Sequence, residues 1–267
     1  MNRKTPLFLI AFVLLLIPLH ARAQQAPFAI VSDTHLGASD SLYPALIQRI
    51  EEEKIQVIIH AGDAIDSPGS SSQWARFFEI TGPAKTVHLA PGNHDIHGKR
   101  SLAVYLKFFA RPYYSFSTGD TLFILLNTEL PDEEGMVAKK QLVWLETELQ
   151  RPFRHKFVFL HEPLYPVVFL HGLDRHTEAR DALHRLFVKN GVSLVVSGHD
   201  HIYNRATRDG ILYVIAPAVR AVPLFPLQNG DPGYIVATRK SDGFSFTVKD
   251  MQGNVREGFS LISSVKR

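Results

Sequence analysis

Thr86-Val87-His88-Leu89-Ala90-Pro91-Gly92-Asn93-His94-Asp95 is the stretch on which the fold turns. The short run Thr86–Leu89 reads as a strand, and it gives way abruptly to polar side chains behind a glycine. An amide oxygen, an imidazole and a carboxylate in succession serve little structural purpose there. The same order recurs outward in both directions. Phe28–Val31 runs into Ser32-Asp33-Thr34-His35-Leu36-Gly37, and Ile55–Ile59 into Gly62-Asp63. Phe157–Leu160 runs into His161, and Val192–Val196 into Gly198-His199-Asp200-His201. Five apolar strands thus each end in residues of metal-ligand type, and in open α/β sheets the ligand site lies beyond the carboxyl ends of the strands.

Between these strands the apolar period changes to that of a helix. Leu42, Ala45, Leu46 and Ile50 follow the first strand, with Pro44 tolerable in the opening turn. A helix is predicted over Gln73–Glu79, another through Leu142, Leu145 and Leu149, and a third through Ala179, Ala182, Leu183, Leu186 and Phe187, stopped by Asn190-Gly191. Tyr113–Phe116 and Leu122–Leu126 flank Thr118-Gly119-Asp120 as a hairpin. Ile211–Ile215, Tyr234–Thr238 and Phe244–Val248 are further strands. The expectation is an α/β fold of two sheets with helices outside, in one domain over 24–267.

The chain has 267 residues, 45% hydrophobic and 21% charged, with 17 glycines and 16 prolines. That excludes disordered, collagen-like and coiled-coil classes and argues against a helical bundle. The absence of cysteine excludes a disulfide framework, thiolate ligands and a cysteine nucleophile. Residues 1–23 read as a signal peptide: Arg3 and Lys4, an apolar run from Leu7 to Leu19, then Ala21-Arg22-Ala23 as the cleavage site. The run is too short to span a bilayer, which takes about 20 apolar residues. The expectation is therefore export, to the periplasm or the medium, with no stable membrane anchor after processing. Of the 29 basic residues, Arg3, Lys4 and Arg22 fall in this leader, so the rest of the chain balances its 26 acidic residues and the formal +3 disappears. A general basic surface for nucleic acid is disfavoured.

The candidate ligands are three carboxylates or amides (Asp33, Asp63, Asn93) and four imidazoles (His35, His161, His199, His201). One ion does not need seven side chains. Two ions need a bridging carboxylate, and Asp63 follows the middle of the first three strands. Oxygen and imidazole donors without sulfur suit Mn, Fe, Zn, Ni or Co, as a divalent or mixed-valence pair. Two such ions about 3.5–4 Å apart can hold a hydroxide and clamp a phosphate oxygen.

Asp33-x-His35, Gly62-Asp63-x-x-Asp66, Gly92-Asn93-His94-Asp95, His161 and Gly198-His199-x-His201, with thirty residues from Asp33 to Asp63 and thirty more to Asn93, resemble the calcineurin-like metallophosphoesterase superfamily. The resemblance implies a four-layer α/β/β/α sandwich of two mixed sheets. It implies that Asp33, His35 and His201 hold the first metal, that Asn93, His161 and His199 hold the second, and that Asp63 bridges them. His94 is similar to the family's general acid or phosphate-binding histidine, and Asp95 to the residue that orients it. Purple acid phosphatases carry a tyrosine ligand three residues after the bridging aspartate. Asp66 stands there, which argues against a tyrosinate–ferric centre, and Asp66 is read as bonding nearby loops.

His97, Tyr165, His171, Asp200 and Tyr203 adjoin motif residues. With Asn93 and His94, residues His97, Tyr165, His171 and Tyr203 are the candidate substrate contacts. The loops 162–176 and 217–232 are long and are the expected determinants of substrate choice. His60 and His88 are read as structural, and His155, His176 and His184 as surface residues. The reading of function is an exported phosphoesterase acting on a small phosphate mono- or diester, by in-line attack of a metal-bound hydroxide. A nuclease of the same superfamily and a non-catalytic metal-binding scaffold remain as alternatives.

Overall fold

The computed structural model describes residues 26–221 and 230–262, so the leader reading over 1–23 lies outside the described residues. In chain order the elements are β1 (Phe28–Val31), α1 (Tyr43–Glu52), β2 (Val57–His60), α2 (Ser71–Thr81), β3 (Thr86–Leu89), α3 (Gly98–Tyr105), β4 (Tyr114–Thr118), β5 (Thr121–Leu125), α4 (Lys139–Leu149) and β6 (His155–Phe159). A 3-10 turn (Leu173–His176) follows, then α5 (Thr177–Lys189), β7 (Leu194–Ser197), β8 (Asn204–Arg208), β9 (Ile211–Ile215), β10 (Gly233–Arg239), β11 (Gly243–Asp250) and β12 (Val255–Ile262).

The strands form two mixed six-stranded sheets, ordered β12-β11-β10-β1-β2-β3 and β4-β5-β6-β7-β9-β8. In the first, β1, β2 and β3 are parallel and β10–β12 antiparallel. In the second, β5, β6, β7 and β9 are parallel, and β4 and β8 close the edges antiparallel.

Period-two alternation explains the layers. Along β1, Phe28 and Ile30 enter the cluster between the sheets, while Ala29 and Val31 enter the cluster under α1, α2 and α3. Along β5, Phe123 and Leu125 face the first sheet, while Leu122 and Ile124 face α4 and α5. The sheets meet on aromatic rings: Phe28 lies 5.5 Å edge-on from Phe123, and Phe157 lies 4.8 Å from Phe244. Burying each such ring contributes about 1.5–3 kcal/mol. The helices bury Leu46, Ile50, Trp74, Phe77 and Tyr105 on one side and Leu145, Leu149, Leu183 and Phe187 on the other. This is the expected four-layer sandwich.

The helix stops behave as the sequence predicts. Asn190 caps α5, and Gly191 follows in the left-handed region at φ 68°. Other readings need correction. β8 was not predicted, because all five of its residues are exposed and carry no buried-strand pattern. α3 was missed behind the Asn93-His94-Asp95 turn. His155 and His184 are buried rather than on the surface. His155 opens a strand buried along its whole length and meets Phe244 edge-on at 5.2 Å. His184 sits on the inner face of α5, its ring nitrogens 2.7 Å from the Tyr213 hydroxyl and 2.8 Å from the Asp209 carboxylate. No helix of the described residues is long and apolar enough to cross a membrane.

Candidate metal centre

Strand register sets Val31, His60 and Leu89 abreast at the ends of β1, β2 and β3. The chain then delivers Asp33 and His35, Asp63, and Asn93 side by side. In the other sheet Phe159 and Val196 are abreast, so His161 and His199 emerge together. The loops are tied to one another: Asp33 N donates to Gly62 O and His35 N to Asp63 O, both at 2.9 Å, and Gly198 N donates to His161 O at 3.0 Å.

Five candidate ligands hold left-handed backbone: Asp33 (φ 52°), His35 (40°), Asp63 (57°), His199 (71°) and His201 (55°). Such conformations cost on the order of 1 kcal/mol or more for a non-glycine residue and persist only where the surroundings impose them. The strand ends thus curl to turn these side chains back over the sheet edge. Two motif glycines are required by close approach. A Cβ on Gly92 would overlap the Asp63 carboxylate and lie 2.7 Å from the His161 ring, and one on Gly198 would overlap Ser32 Oγ and lie 2.5 Å from Asp33 Oδ2.

The seven candidate ligands converge. His35 Nε2 lies 3.3 Å from His201 Nε2, which is 3.3 Å from Asp33 Oδ1. His161 Nε2 lies 3.2 Å from Asn93 Oδ1, 3.2 Å from Asp63 Oδ2 and 3.1 Å from His199 Nδ1. Asp63 Oδ2 is also 3.6 Å from His35 Nε2, so one oxygen reaches both groups. Donors about 2.1 Å from a shared ion stand about 3.0–3.4 Å apart. The spacings fit ions in two neighbouring places, with Asp33, His35 and His201 around one and Asp63, His161 and His199 around the other.

Hydrogen-bond donors and acceptors support the same fit. His161 Nδ1 lies 2.9 Å from Ala61 O. A carbonyl only accepts, so Nδ1 carries a proton and Nε2 is the nitrogen that faces the cluster, the orientation usual for a metal-ligating histidine. Burial opposes protonation of this ring, but the Asp63 and Asp33 carboxylates outweigh it and hold it well above the usual range, so Nε2 becomes a ligand when a cation displaces its proton. His35 Nδ1 and His201 Nδ1 are buried without a hydrogen-bond partner. Burial pushes His35 down to about 4, and burial with the neighbouring His161 pushes His199 down to about 2, which leaves both rings neutral and their lone pairs free. Burial opposes ionisation of Asp33 and Asp63, but His201 beside Asp33 and the charged His161 ring beside Asp63 outweigh it and hold both carboxyls far below the usual range.

Above this floor is a cleft of about 130 Å³, lined by His35, Asp63, Asn93, His94, His171, His199, His201 and Arg220. His94 rests edge-on against His35 at 4.5 Å, and His171 stacks on His199 at 4.0 Å, so the two rings stand over different parts of the floor. His94 Nδ1 donates to Asp66 O at 2.6 Å. The Asp66 carboxylate is 3.8 Å from His35 Nδ1, and with His35 and His94 it forms a third group of converging donors.

The expected role of Asp95 is corrected: it does not touch the His94 ring. Its buried carboxylate accepts from Ala64 N at 2.9 Å, Ile65 N at 3.2 Å and Gly92 N at 2.9 Å, stapling the Asp63 loop to the Asn93 loop. Burial, together with the Asp63 charge, pushes it up to about 7. Three candidate substrate contacts lie away from the cleft. His97 is exposed at the start of α3. Tyr165 packs against Tyr213 at 5.1 Å and under the Arg208 guanidinium at 4.2 Å. Tyr203 packs on the cluster between the sheets.

The two long loops each place one side chain on the cleft, His171 from 162–176 and Arg220 from 217–232; residues 222–229 of the latter lie outside the described residues. Sequence reasoning missed Arg220, which carries no local signal. It named Asp200 beside the motif but not its contact: the side chain sits buried between two candidate ligands in the sequence, with its carboxylate 2.8 Å from His171 Nδ1.

The chain is 31% identical over 207 residues to "Serine/threonine-protein phosphatase CPPED1" of Pongo abelii, covering 64% of each chain. It spans 46% of the length of the human protein of that name, about half. The structure of purple acid phosphatase PPD1 from yellow lupin superposes with a TM-score of 0.71 at 18% identity, over 90% of this chain and 54% of that one. GAP50, described as the anchor in the inner membrane complex of Plasmodium, gives 0.71 at 15%, over 91% and 90%. These likenesses show the fold. The model of the calcineurin-like phosphoesterase family matches residues 26–203, through every candidate ligand, and the chain belongs to that family.

Proposed function

We propose that the chain is an exported metal-dependent phosphatase, acting on phosphate monoesters at two ions that share Asp63. The observation that carries this reading is the placement of Asp63 Oδ2, 3.6 Å from His35 Nε2 and 3.2 Å from His161 Nε2, between two converging sets of donors. Asp33, His35 and His201 would hold one ion, and Asn93, His161 and His199 the other. When bound, the ions supply Lewis acidity toward phosphoryl oxygens and activate water for attack on phosphorus.

The chain's own groups do the rest. His94, its Nδ1 proton fixed on Asp66 O, leaves Nε2 to the cleft, where in the protonated ring it can donate to the departing oxygen. His171, its Nδ1 proton fixed on Asp200 and its ring stacked on His199, stands at the rim where it can meet the substrate. Asp95 keeps the His94 loop in place against the Asp63 loop.

Monoesters are favoured because relatives bear the names "Serine/threonine-protein phosphatase CPPED1" and "Phosphoenolpyruvate phosphatase". Export rests on the leader over 1–23, and a protein beginning at Gln24 is its signature by mass spectrometry. The likeness to GAP50 favours one other reading, a scaffold that no longer catalyses. Turnover of p-nitrophenyl phosphate by metal-loaded protein, lost on chelation, supports the phosphatase. A protein that binds metal at the floor and turns over no ester is the scaffold.

A further inference from the structure

We infer that Arg220, clamped by Asp40, is the group through which the cleft recognises the second negative charge of a phosphate monoester, and so determines specificity for monoesters over diesters. The inference rests on the phosphatase reading and names the residue that narrows it.

Arg220 alone among the described residues lining the cleft carries a permanent positive charge. Its guanidinium is held from one side: Nε donates to Asp40 Oδ2 at 2.9 Å and Nη2 to Asp40 Oδ1 at 2.8 Å. A guanidinium has five N–H donors in one plane, and this fork uses two, leaving Nη1 with both of its protons. Both side chains are largely buried, 22% and 13% exposed, where a charge-assisted bond is stronger than on an open surface.

The backbone beneath is equally fixed. Ala221 N donates to Asp40 O at 2.9 Å, Leu42 N to Val219 O at 3.1 Å, and Val219 N to Ser32 O at 3.2 Å. These bonds fasten the base of Arg220 to the loop that carries Asp33 and His35. They already join the two loops, so the ion pair is not needed for that purpose; what it adds is a fixed direction for the guanidinium, settled before substrate arrives.

The chemistry of the ester decides what such a donor reads. A monoester has three non-ester oxygens and, with a second pKa near about 6, close to two negative charges at neutral pH. A diester has one charge, and the third oxygen carries carbon instead. A fixed guanidinium offered to that third oxygen favours the monoester and gives the diester little.

The test uses the metal-loaded full chain and its Arg220→Ala and Arg220→Lys variants. Inorganic phosphate is titrated by calorimetry, and kcat/KM is measured on p-nitrophenyl phosphate and bis(p-nitrophenyl) phosphate. Arg220→Ala is expected to weaken phosphate binding about 10- to 100-fold and to lower monoester kcat/KM by a similar factor. Diester kcat/KM should move less than about threefold, so that discrimination between the esters collapses by about 10-fold or more. Arg220→Lys keeps the charge without the fork and falls between; it also carries the test if the alanine variant fails to fold. Unchanged phosphate affinity, or equal losses on the two esters, overturns the inference. If the wild-type chain hydrolyses neither ester, the phosphatase reading fails, and the phosphate titration alone still decides for or against Arg220.

Discussion

The floor of the site and its rim are built in different ways. Every floor residue follows a strand end by four positions or fewer: Asp33 and His35 after Val31, Asp63 after His60, Asn93 after Leu89, His161 after Phe159, His199 and His201 after Ser197. Backbone ladders place these side chains before any of them makes a contact. The rim residues His94, His171 and Arg220 are instead aimed through side-chain hydrogen bonds, to the Asp66 carbonyl, the Asp200 carboxylate and the Asp40 carboxylate. The difference teaches that the geometry of the floor is set by the fold, whereas that of the rim is set by a few side-chain clamps. It follows that the rim can be altered without emptying the floor.

The sharpest way to break that division is at the floor. Asp63→Ala should lower activity by roughly 10³-fold or more, because it removes the shared ligand and the acceptor for His94 N at 2.8 Å. At the rim, His94→Asn should depress alkyl phosphate hydrolysis by roughly 10²–10⁴-fold and aryl phosphate hydrolysis far less, since an aryl oxygen departs without a proton. Metal content should not change. Equal losses on both substrates would instead make His94 a ligand for the phosphoryl oxygens. His171→Ala should cost roughly 10-fold, also with metal retained, as expected for one lost charge-assisted contact. Loss of metal in either rim variant, read by elemental analysis, would erase the distinction between rim and floor.

The smallest expected effect lies outside both regions. Glu129 is buried behind the site, where Thr128 Oγ1 donates to it at 2.7 Å. Burial, and next the charge of Glu162, push it up to about 8. The unfolded value is about 4.3, so between about 4.3 and 8 the folded chain holds the proton more tightly and stability falls as pH rises. Glu129→Gln should remove this dependence, so that its stability relative to wild type rises from pH 5 to pH 8, measured by denaturant unfolding. A gain that is the same at both pH values would show that Glu129 does not titrate in that window.

What could be read in the sequence follows the same division. The floor was legible because each ligand directly follows an apolar run, and the order Asp33, Asp63, Asn93, His161, His199 is the order of strand ends. The sandwich was legible because Phe28–Val31 and Leu122–Leu126 are apolar on both faces, as strands covered on both sides must be. β8 was not, because an exposed edge strand such as Asn204–Arg208 needs no apolar pattern. Arg220 was not, because its meaning comes from Asp40, 180 residues earlier in the chain. Tyr165 and Tyr203 were misplaced for the converse reason. Proximity in sequence to His161 and His201 does not say which side of the sheet a loop residue packs on, and both rings pack on apolar clusters.

In the proposed site one carboxylate, that of Asp63, joins two metal positions. Elemental analysis of the purified wild-type chain and of Asp63→Ala, set beside Asp33→Ala, tests it most directly. Two transition-metal ions per wild-type chain are expected, with weakened occupancy of both positions in Asp63→Ala and loss confined mainly to one position in Asp33→Ala. Full occupancy in Asp63→Ala would contradict it.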